Sequence, residues 1–321
     1  TAEEVAYILE NSGTRVLFLG PETKERGIKA ANIAGVKIVI GWDISEVSND
    51  LISWEDWLSD SKDEEPPLGL KPLPNLLYTS GTTGRPKGTN LPPTMFAAGD
   101  TIEEHLENLK LSPNVGLGPH LVVGPMYHTG PLSGARLLAA GVNSVILGKF
   151  DAEATLSAID KYKTGTTIMV PTHFVRLLAL PQEVKDKYDV SSMVSIAHTG
   201  ANCPVDTKIS MIDWFGPVFR DAYGASEVGT TCTLDSEEFL KYPGSVGKAV
   251  EPFTALILDD DGNELPANEE GKLYFKDASG RGIIYHNDPE KSAAAHIAPG
   301  VFTLGEIAYM NEEGYVFLTD R

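Results

Sequence analysis

Cysteine is scarce in this chain. Cys203 and Cys232 are the 2 cysteines among 321 residues, with no CxxC spacing between them. That argues against a disulfide framework or a thiolate metal site and fits a reducing cytoplasm. The 7 histidines never form HExxH, so the zinc-hydrolase signature is missing. Positive charge is also short: 26 lysines and arginines face 45 acidic residues, giving a net charge of -19. Nucleic acid and anionic membrane surfaces are therefore poor partners, and an anionic substrate must be gripped locally. The surplus acid itself reads as a solubility feature. No apolar run approaches the length of a bilayer span, and there is no secretory signal. The chain opens at Thr1 inside a helical pattern, which leaves room for a targeting segment upstream. Internal repeats and low-complexity tracts are missing too.

What is present is a globular composition. With 42% hydrophobic and 8% aromatic residues, a 321-residue chain can bury the core of one large or two medium domains. Thr1 is placed to cap an amphipathic helix to about Asn11, before a buried strand at 15–19, a helix at 22–34 and a strand at 36–40. The acidic stretch DSKDEEPP at 60–67 reads as an exposed linker into the strand NLLY at 75–78. Helix patterns then appear near 134–140, at 152–162, from 172 and near 205–214, interleaved with strands at 143–147, 166–170, 194–197 and 218–223. Such alternation predicts an α/β fold of layered parallel sheets with helices. After about Leu234, short strands separated by the turns DDDG, EEG and NEEG predict an antiparallel, β-barrel-like C-terminal subdomain.

The stretch YTSGTTGRPKG, residues 78–88, follows the strand NLLY. Glycine lets backbone N–H groups approach a ligand, the hydroxyls add donors and Lys87 adds a point charge, so the loop suits a polyphosphate. It is not a Walker A loop, because that pattern needs a second glycine, followed by lysine, five residues after the first, and Pro86 stands five after Gly81 and Thr89 five after Gly84. On its own, a loop rich in glycine and hydroxyls is most often a solvated turn.

Four further stretches give it context: PMYHTG at 125–130, YGASE at 223–227, TLGE at 303–306 and TDR at 319–321. Read in this order with the loop, they resemble the adenylate-forming superfamily of acyl-CoA synthetases, luciferases and peptide-synthetase adenylation domains. The segments NCPVDTKISMIDWFGP at 202–217 and PGSVGK at 243–248 are most similar to its fatty- and aryl-acyl-CoA ligase branch. The resemblance covers essentially the whole chain. It implies an α/β adenylation core at 1–235 lacking the family's first strands and a β-barrel-like subdomain at 236–321 ending at the hinge. The family's C-terminal lid, which carries the lysine that completes adenylation, has no counterpart here.

The resemblance implies a reaction between a carboxylic acid and ATP that gives an acyl-adenylate and pyrophosphate, then a thioester with coenzyme A and AMP. A carboxylic acid of pKa about 4 to 5 is already ionised at pH 7, so the first step needs no general base. Its barrier is anion meeting anion, which calls for positive potential and in-line placement. By resemblance, Thr79, Ser80, Gly81, Thr82, Thr83, Gly84 and Lys87 grip the β- and γ-phosphates. Glu227 binds Mg2+, a cation that prefers oxygen ligands. Tyr223, beside Gly224, stacks on adenine, and Ser226 keeps a hydroxyl where the family usually has threonine. Gly200, Ala201 and Asn202 match the turn beside the adenine and the acyl tunnel. Asn202 replaces the usual proline, and either shifts acyl selectivity or satisfies its own turn. His128 is similar to the histidine lining the acyl channel, and no aspartate is seen there of the kind that meets an amino acid's α-amino group.

Glu306 departs from the family's ribose-binding aspartate. The extra methylene makes it back away or lose one hydrogen bond, worth roughly 1.5–3 kcal/mol when charge-assisted. By the same resemblance, Arg321 supports the ribose and begins the hinge. The resulting expectation is a cytoplasmic acyl-CoA ligase core acting on a fatty or aryl acid with ATP, Mg2+ and coenzyme A, with a homodimer compatible. Two alternatives stand beside it: a non-catalytic module that binds nucleotide or acyl-adenylate, and an acyl-AMP ligase delivering to a carrier-protein thiol.

Overall fold

A computed structural model describes residues 1–44, 51–65, 67–79, 85–92, 95 and 98–320. The first helix, Ala2–Asn11, begins where the sequence places it because Thr1 and Glu4 cap it reciprocally. The Glu4 amide donates to Thr1 Oγ1 at 3.2 Å, and the Thr1 ammonium donates to the Glu4 carboxylate at 2.6 Å. Its Ala2, Ala6 and Leu9 recur at helical spacing and bury against Ala30 and Ala31 of the helix Lys24–Ala34. Strands β1 (Val16–Leu19), β2 (Ile38–Gly41) and β3 (Ile52–Ser53) pair in parallel beside these helices. Next, β4 (Leu76–Thr79) and β5 (Lys87–Asn90) form an antiparallel hairpin.

The remaining strands share one sheet. They are β6 (His120–Val122), β7 (Ser144–Ile146), β8 (Thr166–Met169), β9 (Ser195–His198), β10 (Phe219–Ala225), β11 (Gly229–Asp235), β12 (Ser245–Ala249), β13 (Phe253–Leu258), β14 (Gly271–Asp277), β15 (His296–Ala298), β16 (Val301–Met310) and β17 (Val316–Asp320). Their hydrogen-bonded order is β13-β14-β16-β17-β12-β11-β10-β9-β8-β6-β7, with β15 on β16. Neighbours from β7 to β10 are parallel, and those from β10 to β13 are antiparallel. The expected α/β fold with antiparallel C-terminal strands is thus what the chain adopts. The change of direction comes sooner than the composition change at Leu234, because the chain reverses right after β10. Gly224 makes this reversal feasible: a Cβ there would lie 2.0 Å from the Gly229 carbonyl oxygen.

Helices Ala152–Tyr162, Pro171–Leu178 and Val205–Phe215 alternate with the parallel strands. The first is capped by Asp151, whose carboxylate accepts from the Ala154 amide at 2.8 Å. Leu121, Ile159, Met169, Phe174, Ile196 and Met211 are fully buried between helices and strands. Each such side chain contributes about 1.5–3 kcal/mol of transfer free energy. A second core, with Phe275, Phe302, Ala308 and Val316, fills the antiparallel part. Because His198 of β9 is the register partner of Asp221 of β10, the turn after His198 and the segment Tyr223–Glu227 emerge side by side at the carboxyl ends of parallel strands. In open α/β sheets, ligands bind at such ends.

Candidate functional site

The glycine-rich loop joins the two strands of a hairpin, with Thr79 and Lys87 directly opposite each other. The chain beyond Lys87 is therefore a strand and not the helix that follows a Walker A loop. A second main-chain contact fixes the hairpin in the molecule. The Asn90 amide donates to the Ile284 carbonyl at 2.9 Å, and the His286 amide donates to the Gly88 carbonyl at 2.8 Å. Glycine suits position 88, since a Cβ would sit a tight 3.1 Å from both the His286 Cβ and the Tyr78 ring. The Arg281 guanidinium also donates to the Asn90 carbonyl. Thr89 thereby bridges to Tyr285.

This docking gathers several charged groups. Thr79 Oγ1 donates to Glu227 Oε1 at 3.4 Å, so the hairpin and the turn after β10 meet. The Lys87 ammonium lies 5.8 Å from the Tyr285 ring centroid, and that of Lys291 lies 5.6 Å from the same ring. The direct interaction with Lys291 holds the Lys87 pKa below its ordinary value. Partial burial and the charge on Lys291 act in the same direction, while Glu227 and Asp288 oppose them. Burial, with Glu227 and Asp288 nearby, pushes the Tyr285 hydroxyl up. Asp288 caps the helix Pro289–Ala294 by accepting from the Lys291 amide at 3.0 Å, which anchors the lysine's backbone. Among the sequence-predicted residues, then, Thr79, Lys87 and Glu227 converge. Tyr285, Asp288 and Lys291 are additions. The sequence around them, YHNDPEKS, signals only a turn opening a helix.

The other predicted residues lie as follows. Gly200 takes φ +91° in the exposed turn that continues through Ala201 and Asn202, a conformation that favours glycine. Tyr223 is half-buried, its ring 6.2 Å from Phe275. Ser226 is half-buried in the turn with Glu227, and Gly224 is exposed. Glu306 lies on β16 and is 9% exposed. His128 is exposed as the N-cap residue of the helix Thr129–Ala135, with its ring 4.6 Å from that of Tyr127. Ser80, Gly81, Thr82, Thr83, Gly84 and Arg321 lie outside the described residues.

Directly behind the paired strand ends is a cluster that the sequence did not announce. Lys208, with a side chain 0% exposed, forms an ion pair with Asp221 of β10. His198 Nδ1 of β9 lies 3.2 Å from the same Asp221 oxygen. The Lys208 ammonium is ringed by Phe174, Phe219 and Phe239 at 5.3, 5.1 and 5.9 Å. Burial lowers its pKa against the attraction of Asp221. Burial pushes Asp221 the other way, yet hydrogen bonding to His198 and the Lys208 charge hold its carboxyl below the usual range. A lysine in a helix reads as surface from sequence alone, and the pair forms only where the helix Val205–Phe215 brings Lys208 to Asp221 of β10.

The sheet and the motifs it carries define the class, an adenylate-forming α/β fold. The family described as AMP-binding enzyme matches residues 1–281, and the chain belongs to that family. Luciferin 4-monooxygenase of Photinus pyralis is 30% identical over 271 residues, covering 83% of this chain and 47% of that protein. Acetyl-coenzyme A synthetase of Bacillus subtilis (strain 168) is 28% identical over 328 residues, covering 98% of this chain and 55% of that protein. The chain thus spans about half the length of these relatives. Among solved structures, amide bond synthetase McbA from Marinactinospora thermotolerans superposes with a TM-score of 0.82 at 23% identity, covering 100% of this chain and 63% of that one. At that identity the likeness speaks for the fold alone.

Proposed function

We propose that this chain is the adenylating core of an ATP-dependent acyl-CoA ligase acting on a fatty or aryl carboxylic acid. The observation that carries the reading is the meeting of Thr79, Lys87 and Glu227 on two separate elements. Lys87 and Thr79, with the loop between them, hold the β- and γ-phosphates, and Tyr223 and the 200–202 turn flank the adenine. Glu306 takes the ribose with Arg321, and His128 stands at the acyl channel. Ser226 and Gly224 shape the turn that presents Glu227. One carboxylate beside a hydroxyl suits Mg2+, which is commonly held by one or two carboxylates plus substrate phosphates. Glu227 would hold it, and its charge would offset that of the phosphates when bound. Lys87 supplies fixed positive potential toward the incoming carboxylate, which needs no proton removed. Coenzyme A is the proposed acceptor, the cytoplasm the proposed compartment, and a boundary near residue 235 the proposed division of the core. A homodimer is compatible with this reading.

Carboxylate-dependent ATP–pyrophosphate exchange, scanned over short, medium, long and aromatic acids, tests the reading. Exchange with one class of acid is the expected result and names the substrate. If no acid supports exchange and AMP does not bind, the proposal fails.

A further inference from the structure

Lys291 has no role in the sequence reading, yet its ammonium shares the Tyr285 ring with Lys87. Two ammonium groups held near one ring, 5.8 and 5.6 Å from its centroid, repel each other, and that arrangement is unfavourable unless an anion sits with them. Here it is enforced by the backbone. The contacts of Gly88 and Asn90 with Ile284 and His286 lock β5 onto the segment carrying Tyr285, and Asp288 anchors the turn carrying Lys291. The acidic groups near Lys87 are Glu227 and Asp288. Glu227 already accepts from Thr79, and Asp288 already accepts from the Lys291 amide. Neither carboxylate pairs with Lys291 among the described ion pairs.

We infer that Lys291 is a second cationic jaw which, with Lys87 beside the same Tyr285 ring, grips the two terminal phosphates of the nucleotide and the pyrophosphate released from them. The inference rests on the ligase reading and assigns its polyphosphate subsite a residue outside the glycine-rich loop. A polyphosphate bearing several negative charges offers each ammonium its own oxygens, so the two lysines act from different elements on one ligand. Because they approach from the hairpin and from the helix Pro289–Ala294, the ligand would also tie these two parts of the chain together. The Tyr285 ring lies within cation–π distance of both ammonium groups.

The test is calorimetric titration of magnesium pyrophosphate, and separately of AMP, into the full chain and its Lys291→Ala and Lys291→Arg variants. Lys291→Ala is expected to weaken pyrophosphate binding about tenfold, with Lys291→Arg within about threefold of the parent and AMP binding unchanged in both. Three results would overturn the inference. These are pyrophosphate binding by Lys291→Ala within about twofold of the parent, an equal loss for AMP, and a parent chain that does not bind pyrophosphate. If pyrophosphate binding depends on Lys291 but no carboxylate supports ATP–pyrophosphate exchange and AMP does not bind, the jaw stands and the ligase reading falls.

Discussion

Two lysines in this protein live under opposite rules. Lys208 is fully buried, touches three aromatic rings and has its counter-charge built in as Asp221. Lys87 stands at the mouth of a hairpin, and the group that perturbs it most is another lysine. The first arrangement is internally complete, and removing a part leaves an uncompensated charge in the core. The second holds like charges near one ring, and its proposed counter-charge is a ligand. The comparison separates a lysine whose counter-charge is built into the fold from one whose counter-charge is proposed to come from a ligand.

Breaking the internal pair should give the largest effect. Lys208→Met strands Asp221 and is expected to cost about 3–5 kcal/mol of stability by urea denaturation, and adding Asp221→Asn should recover most of it. A loss below about 1 kcal/mol would mean that the pair is not held as described. Breaking the ligand side should spare stability and remove activity. Lys87→Ala and Glu227→Ala are each expected to lower ATP–pyrophosphate exchange about a hundredfold, equivalent to roughly 2.7 kcal/mol, with unchanged denaturation midpoints. Matching losses of stability would erase the distinction between the two regions.

A third buried group sharpens the comparison through pH. His120 is 1% exposed and burial lowers its pKa to about 4, so it stays neutral in the folded chain while the unfolded chain protonates near pH 6.5. The unfolded state then binds more protons, and stability falls as pH drops from above 6.5 toward 4. At pH 5 the loss relative to pH 8 is about 2 kcal/mol from this residue, and it should be absent in His120→Asn. The smallest expected effect is at a helix start: Asp151→Ala should cost about 1 kcal/mol without touching nucleotide binding. Denaturation curves at the two pH values and for the cap variant check both.

Much of the fold was legible because its signals are local. The helix Ala152–Tyr162 falls where the periodicity placed it, opened by the Asp151 cap, and Thr1 caps the first helix as expected. The strand at 218–223 runs on to Ala225, because pairing with β11 extends it beyond what its own residues specify. Motif order revealed the family, and the structure brings Thr79, Lys87 and Glu227 together. Long-range partnerships were not legible. Nothing near Lys208 names Asp221, and nothing near Lys291 names Lys87, since each pair depends on strand register or on a docking contact between distant segments. The strand that begins at Lys87 was hidden for the same reason: KGT reads as a strand only when Leu76–Thr79 lies beside it.

The central claim is that the hairpin cluster recognises the polyphosphate part of a nucleotide. Titrating MgATP and AMP in parallel into the parent chain and Lys87→Ala tests it most directly. The account predicts that the parent prefers ATP over AMP, and that the substitution removes most of that preference while AMP affinity holds. Equal weakening of both ligands, or no preference for ATP in the parent, would contradict it.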